Sequence, residues 1–178
     1  ALAEWSAGNS EIALKEVKKL TTTLKGDLLM KANHYYSQWL LESEGETLAN
    51  LKDAYNHLEE TVSNIDESTI LRYGRKIKSN FSNNDLILPS QILKTLYMHT
   101  KQINIIRKWS TVNAALINFD SENRSKYIIN AITSLSKCAK LSPSFPDIVE
   151  ILNLFFQNAE DEIIFNETNN LIKNLPVK

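Results

Sequence analysis

The chain has 178 residues, 43% of them hydrophobic and 23% charged, which is enough apolar mass for a packed core and too much for a disordered segment. It carries 20 Lys and Arg against 21 Asp and Glu, a net charge of −1, and neither the part before Pro89 nor the part after it has the basic excess of a dedicated nucleic-acid binder. The single Cys138 excludes a disulfide framework and a cysteine-built zinc site and suits a reducing compartment, while no apolar run nears the ~18 residues that span a bilayer.

Four Gly (8, 26, 45, 74) and four Pro (89, 143, 146, 176) partition the chain into long stretches free of both, the pattern of helices. Ala1-Leu2-Ala3-Glu4-Trp5 opens inside a helical pattern without a cap. From Ser10 to Lys25, Ile12, Ala13, Val17, Leu20 and Leu24 recur at steps of three or four. From Asp27 to Glu42 the stripe reads Leu28, Ala32, Tyr35 and Trp39. From Glu46 to Ser63 it reads Leu48, Leu51, Tyr55, Leu58 and Val62. All three fit a period near 3.6, and no segment alternates at period two. The fold class predicted is all-α.

Residues 64–89 read as a polar connection: a short helix around Thr69–Ser79 with Arg72, Arg75, Lys76 and Lys78 clustered on it, then a loop ending near Pro89. Ser90 to Asn118, with Ile92, Leu96, Ile103, Ile106, Val112 and Leu116, predicts one long helix or two joined by a bend. Asp120-Ser121 offers an N-cap for a helix through Tyr127, Ile128, Ala131, Ile132, Leu135 and Cys138. Ser144-Phe145-Pro146-Asp147 has capping-box spacing and opens a helix through Phe156. A last helix covers about 159–173, and Leu175-Pro176-Val177-Lys178 reads as a connection to something further on. The abrupt ends lead us to expect a piece of a larger protein.

Trp5 and Trp39 lie 34 residues apart, each in a helix followed by a Gly-containing turn and a second amphipathic helix. That is the period of a tetratricopeptide-like hairpin, so the expected architecture is antiparallel hairpins stacked as an α-solenoid: hairpins over 1–63, the connection over 64–89, and a long helix plus further hairpins over 90–178.

Catalytic chemistry is not written into this pattern. The glycines are too far apart for a Gly-x-Gly phosphate loop or a Walker A motif, and neither Asp-Phe-Gly nor His-Arg-Asp occurs. His34, His57 and His99 are too separated for a local metal pair and read as surface or packing histidines. Cys138, on an apolar face with Ala131 and Leu135, reads as a buried thiol. The sequons at Asn80, Asn123 and Asn166 read as chance in an Asn-rich chain, and Arg72–Lys78 as a solvated turn. Trp5, Tyr35, Tyr36, Trp39 and Tyr55 read as packing between hairpins. We therefore assign no catalytic, cofactor-binding or metal-binding residue.

Two stretches resemble the FAT domain of the phosphatidylinositol-3-kinase-related protein kinases. The first joins Ala3-Glu4-Trp5 through Leu20, Tyr36-Ser37-Gln38-Trp39-Leu40-Leu41-Glu42-Ser43, and Leu51 to Val62. The second joins Glu122-Asn123-Arg124-Ser125-Lys126-Tyr127-Ile128-Ile129-Asn130-Ala131-Ile132 to Ile151-Leu152-Asn153-Leu154-Phe155-Phe156-Gln157-Asn158. The charged lead-in before Tyr127 is most similar to the ataxia-telangiectasia-mutated checkpoint kinase branch, and the Asn and Ile richness suits a fungal source. Ile70-Leu71-Arg72-Tyr73-Gly74 matches the family's Ala-Arg-Tyr/Phe phrase only in part, which suits either an insertion around residues 64–88 or residues missing there.

The resemblance implies a non-catalytic scaffold segment that clamps the kinase domain of a far larger nuclear serine/threonine kinase acting in DNA-damage signalling and telomere maintenance. ATP and a divalent metal, Mg, would be held outside this segment. The implied partners are the chain's own kinase domain, the neighbouring solenoid, a second copy in a homodimer, and a DNA-end-sensing complex that recruits the whole protein. No direct nucleic-acid or membrane contact is expected here. Of the two Ser-Gln pairs, Ser37-Gln38 and Ser90-Gln91, only Ser90, beside a loop proline, is expected to be exposed. The alternative is a free-standing tetratricopeptide-like adaptor that binds a peptide or partner protein in its groove.

Overall fold

In the computed structural model, residues 1–63 and 83–119 are described, together with isolated positions between 122 and 173. Among them the secondary structure is helical and no strand occurs. The chain divides into two compact units, 1–64 and 65–178. The Arg72–Lys78 cluster, Cys138, the sequon at Asn80, the 69–79 helix and the capping box at Ser144 lie outside the described residues.

The first unit holds α1 (Leu2–Ser6), α2 (Ser10–Thr23), α3 (Gly26–Glu44) and α4 (Leu48–Ser63). Links of two or three residues make consecutive helices antiparallel neighbours. Packing runs in chain order: α1 on α2, α2 on α3, α3 on α4, with no comparable contact between α2 and α4. α3 is therefore the middle helix and buries two faces, Ala32, Asn33, Tyr36, Ser37, Trp39 and Leu40, whereas α2 buries only Ala13 and Val17. Small buried residues bring the axes together. Ser37, fully buried, shares its one hydroxyl hydrogen between the carbonyl of Asn33 on its own helix at 2.8 Å and that of Ala54 on α4 at 2.9 Å.

The periodic stripes need correction at their edges. Ile12 is 51% exposed and Leu28 60%, and Leu20 and Leu48 are also exposed. Apolar residues at helical spacing mark a face, but α2 has a neighbour along one line only, so the outer part of its stripe stays in solvent.

Local chemistry sets the helix ends. Asn9 precedes α2 yet does not cap it; its amide is turned back to donate to Glu4 on α1 at 2.7 Å. Thr47 caps α4, its hydroxyl accepting from the amide of Asn50 at 3.2 Å, and the Asn50 side chain donates to the Gly45 carbonyl at 3.0 Å. Gly45 ends α3 at φ 85° and ψ 169°, a region open only to glycine.

In the second unit, α5 (Asn83–Thr100) and α6 (Ile103–Phe119) pack on each other. The stretch after residue 90 is thus two helices joined by a bend. α5 also begins earlier than the sequence predicts and runs through Pro89, so residues 83–89 are helix rather than loop. A proline there removes one backbone donor. Burial of Leu86, Ile92, Leu93 and Leu96 on α5, and of Ile106, Trp109, Val112 and Leu116 on α6, outweighs that loss. The bend is Lys101, left-handed at φ 54°, whose amide donates to the Tyr97 carbonyl at 2.8 Å and whose ammonium lies 5.3 Å from the Tyr97 ring centre. Further on, Lys126, Tyr127, Ile129, Asn130 and Thr133 are helical, as are Asn166, Asn170 and Lys173.

Two substitutions test these ends by chemical denaturation. Gly45→Ala is expected to destabilise by about 1–2 kcal/mol through backbone strain alone, since a Cβ there meets nothing within 4 Å. Lys101→Gly is expected to stabilise by about 1 kcal/mol, because glycine enters the left-handed region without the Cβ penalty.

Candidate functional site

A polar arrangement in the first unit is centred on α3, between its neighbours α2 and α4. Tyr36 on α3 is 2% exposed, and its hydroxyl donates to Asp53 Oδ2 on α4 at 2.6 Å. One turn on, His57 Nδ1 donates to the Asp53 backbone carbonyl at 2.9 Å and lies 3.6 Å from Asp53 Oδ1. The imidazole also covers the phenol ring, centres 4.4 Å apart. Lys18 on α2 places its ammonium 5.6 Å from the centre of the same ring. One phenol thus receives a contact from both neighbouring helices.

Burial, then the hydrogen bond to Asp53 and the negative charges of Asp53 and Glu44, push the Tyr36 hydroxyl well above the ordinary tyrosine range. Each cause penalises the phenolate. Tyr36 is therefore a neutral donor held shut inside the helix layer. Its ring lies between Lys18 and His57, and its hydroxyl is bonded to Asp53 on the next helix, so the arrangement acts as an interhelical clamp.

The second cluster is aromatic. The Trp5 and Trp39 rings stack with centres 4.7 Å apart and planes within 7°. Tyr35 tilts against Trp39 at 5.2 Å, and His34 meets Tyr35 edge-on at 6.3 Å. The two tryptophans whose spacing suggested a repeat therefore touch, and their stack carries α1 to α3. This is the interhelical packing expected of these aromatics.

The remaining singled-out residues stand apart. His99 is exposed near the end of α5. Ser37 is sealed by its two hydrogen bonds. Ser90 is not on an exposed loop: it sits inside α5, half-buried, and accepts a hydrogen bond from the Trp109 indole at 3.1 Å. The cause is again the helix continuing through Pro89. In the second unit, Asn113 is fully buried and donates to the Trp109 carbonyl at 2.8 Å. The Tyr36 clamp escaped sequence reasoning, though a Tyr and an Asp 17 residues apart, one on each arm of a short-linked hairpin, are the signal that would have found it. Among the described residues, no three His, Cys, Asp or Glu converge as a metal-holding group, and no helix is long and apolar enough to cross a membrane.

Removing the clamp has a definite pH signature. The Tyr36 hydroxyl is raised above its unfolded value near 10, so its contribution to stability is complete below about pH 10 and is lost as pH rises beyond it. Tyr36→Phe is expected to lose about 1.5 kcal/mol at neutral pH and to lessen the alkaline decline, as checked by urea titrations from pH 7 to about pH 11.

No family model, curated protein or solved structure matches the chain.

Proposed function

We propose that this chain is a non-catalytic helical scaffold, a FAT-type segment of a very large nuclear serine/threonine kinase in DNA-damage signalling and telomere maintenance. The observation that carries this reading is the open order of packing in the first unit. α1, α2, α3 and α4 pack successively, with the Trp5–Trp39 stack joining the first helix of one pair to the first helix of the next. Hairpins stacked as an α-solenoid pack in this order, and a closed three-helix bundle would also bring α2 against α4.

The resemblance adds support residue by residue. Tyr36-Ser37-Gln38-Trp39-Leu40 supplies four of the six buried residues of α3, and Leu51, Leu58 and Val62 are core residues of α4. These phrases are therefore packing phrases, which suits a segment that transmits shape. The scaffold would bear on its own kinase domain and on neighbouring solenoid. Repacking at a helix layer biases an attached two-state element without any contact to ATP.

The test starts with the size of the native chain, on a denaturing gel probed with an antibody to residues 122–140. A band far above 20.3 kDa is expected, and a band at that mass would leave a small helical adaptor instead. In the whole protein, Trp39→Ala is then expected to remove about 3–5 kcal/mol of packing and to lower phosphorylation of a Ser-Gln peptide. Unchanged activity in a variant with that stability loss would overturn the scaffold role.

A further inference from the structure

The charges on the first unit are sorted by end. At the α2–α3 turn, Lys19, Lys25 and Lys31 are exposed, as are Leu20 and Leu28, which fall between them in the sequence. At the α3–α4 turn, Glu42, Glu44 and Glu46 are exposed beside the exposed Leu48. Among the described residues none of these six has an ion-pair partner; Glu42 accepts a hydrogen bond from Gln38 at 2.8 Å. Asp27 lies at the lysine end and Lys52 one turn beyond the glutamate end, so each corner keeps its sign. The 19 residues of α3 separate the corners by about 28 Å, beyond mutual screening range.

This sorting works against α3 itself. A helix N-terminus carries partial positive charge and its C-terminus partial negative charge, so Lys25 and Lys31 at the start and Glu42 and Glu44 at the end oppose the dipole. α3 has Asp27 as its one acidic first-turn residue and no basic residue in its last turn. These charges oppose the dipole of α3 and pair with no described residue, which leaves both corners open to a partner of opposite sign.

We propose that the lysine corner of one chain docks on the glutamate corner of a second copy, head to tail, with Leu20 and Leu28 meeting Leu48. The two surfaces complement each other in charge, and each carries exposed leucine. The contact is heterologous: every chain keeps one free corner, so association extends as a row and does not close as a two-fold pair. It is thus a different arrangement from the homodimer that the family resemblance implies, and it does not depend on that resemblance.

The experiment is sedimentation of the full chain across micromolar to millimolar concentration, beside two variants: Lys25→Glu with Lys31→Glu, and Glu42→Lys with Glu44→Lys. The parent is expected to rise in mean mass with concentration above 20.3 kDa, and to return to monomer when salt is raised from about 0.1 M to about 1 M, where the Debye length falls from about 10 Å to about 3 Å. Each variant alone is expected to stay monomeric, and an equal mixture of the two to associate again, because acidic corners then face basic ones. Both variants align charge with the α3 dipole, so their melting temperatures should hold or rise, which separates lost docking from lost folding. A monomeric parent, salt-insensitive association, or a mixture that stays monomeric would each overturn the proposal.

Discussion

One helix has to satisfy two neighbours at once. α3 packs against α2 on one side and α4 on the other, and the first unit depends on its meeting both demands with one sequence. It does so with residues that a one-sided amphipathic helix would not bury. Asn33 and Ser37 share the interior with Tyr36, Trp39 and Leu40. Buried polar groups are tolerable only when satisfied, and Ser37 meets that condition by sharing its hydroxyl hydrogen between its own helix and Ala54 across from it. The small side chains at Ser37 and Ala54 permit the close approach, and the close approach makes the cross-helix bond possible.

The same constraint explains why polar and aromatic groups gather along α3. Tyr36 can be buried only because Asp53 accepts its hydroxyl, and Asp53 stays partly in water, so its charge remains inexpensive. Trp39 can be buried because Trp5 covers its face. α1 is only five residues long and buries none of its own, so this stack and the Glu4–Asn9 hydrogen bond supplement its packing on α2. The middle helix is thus joined to its neighbours by a few specific contacts added to a general apolar layer.

How much of this was legible in the sequence follows from the range of each signal. The 3.6 period located α2, α3 and α4 to within a few residues, because glycine and capping residues act locally. It misjudged Ile12, Leu20 and Leu28, because periodicity reports that a face is apolar and not how wide its partner is. Pro89 was read as a breaker, but the packing of Leu86 and Ile92 on α6 is a tertiary effect that local rules do not contain. The Tyr36–Asp53 and Trp109–Ser90 pairs, 17 and 19 residues apart, needed the hairpin geometry before either could be seen. The absence of catalytic motifs was readable directly. Of the first stretch that resembles the FAT domain, Tyr36, Ser37, Trp39, Leu40, Leu51, Leu58 and Val62 lie in the core, where packing alone restricts residue choice; residues 151–158 of the second lie outside the described residues.

The distribution of indoles has an optical consequence. The chain contains three tryptophans. Two are stacked face to face in the first unit, and the third, Trp109, donates its N–H to Ser90 in the second. Stacked indoles share their excitation, whereas Trp109 is sensitive to whether its hydrogen bond to Ser90 is made. Each unit therefore carries its own indole reporter, and loss of the Trp5–Trp39 stack is expected to show in the near-ultraviolet dichroism of an unlabelled sample.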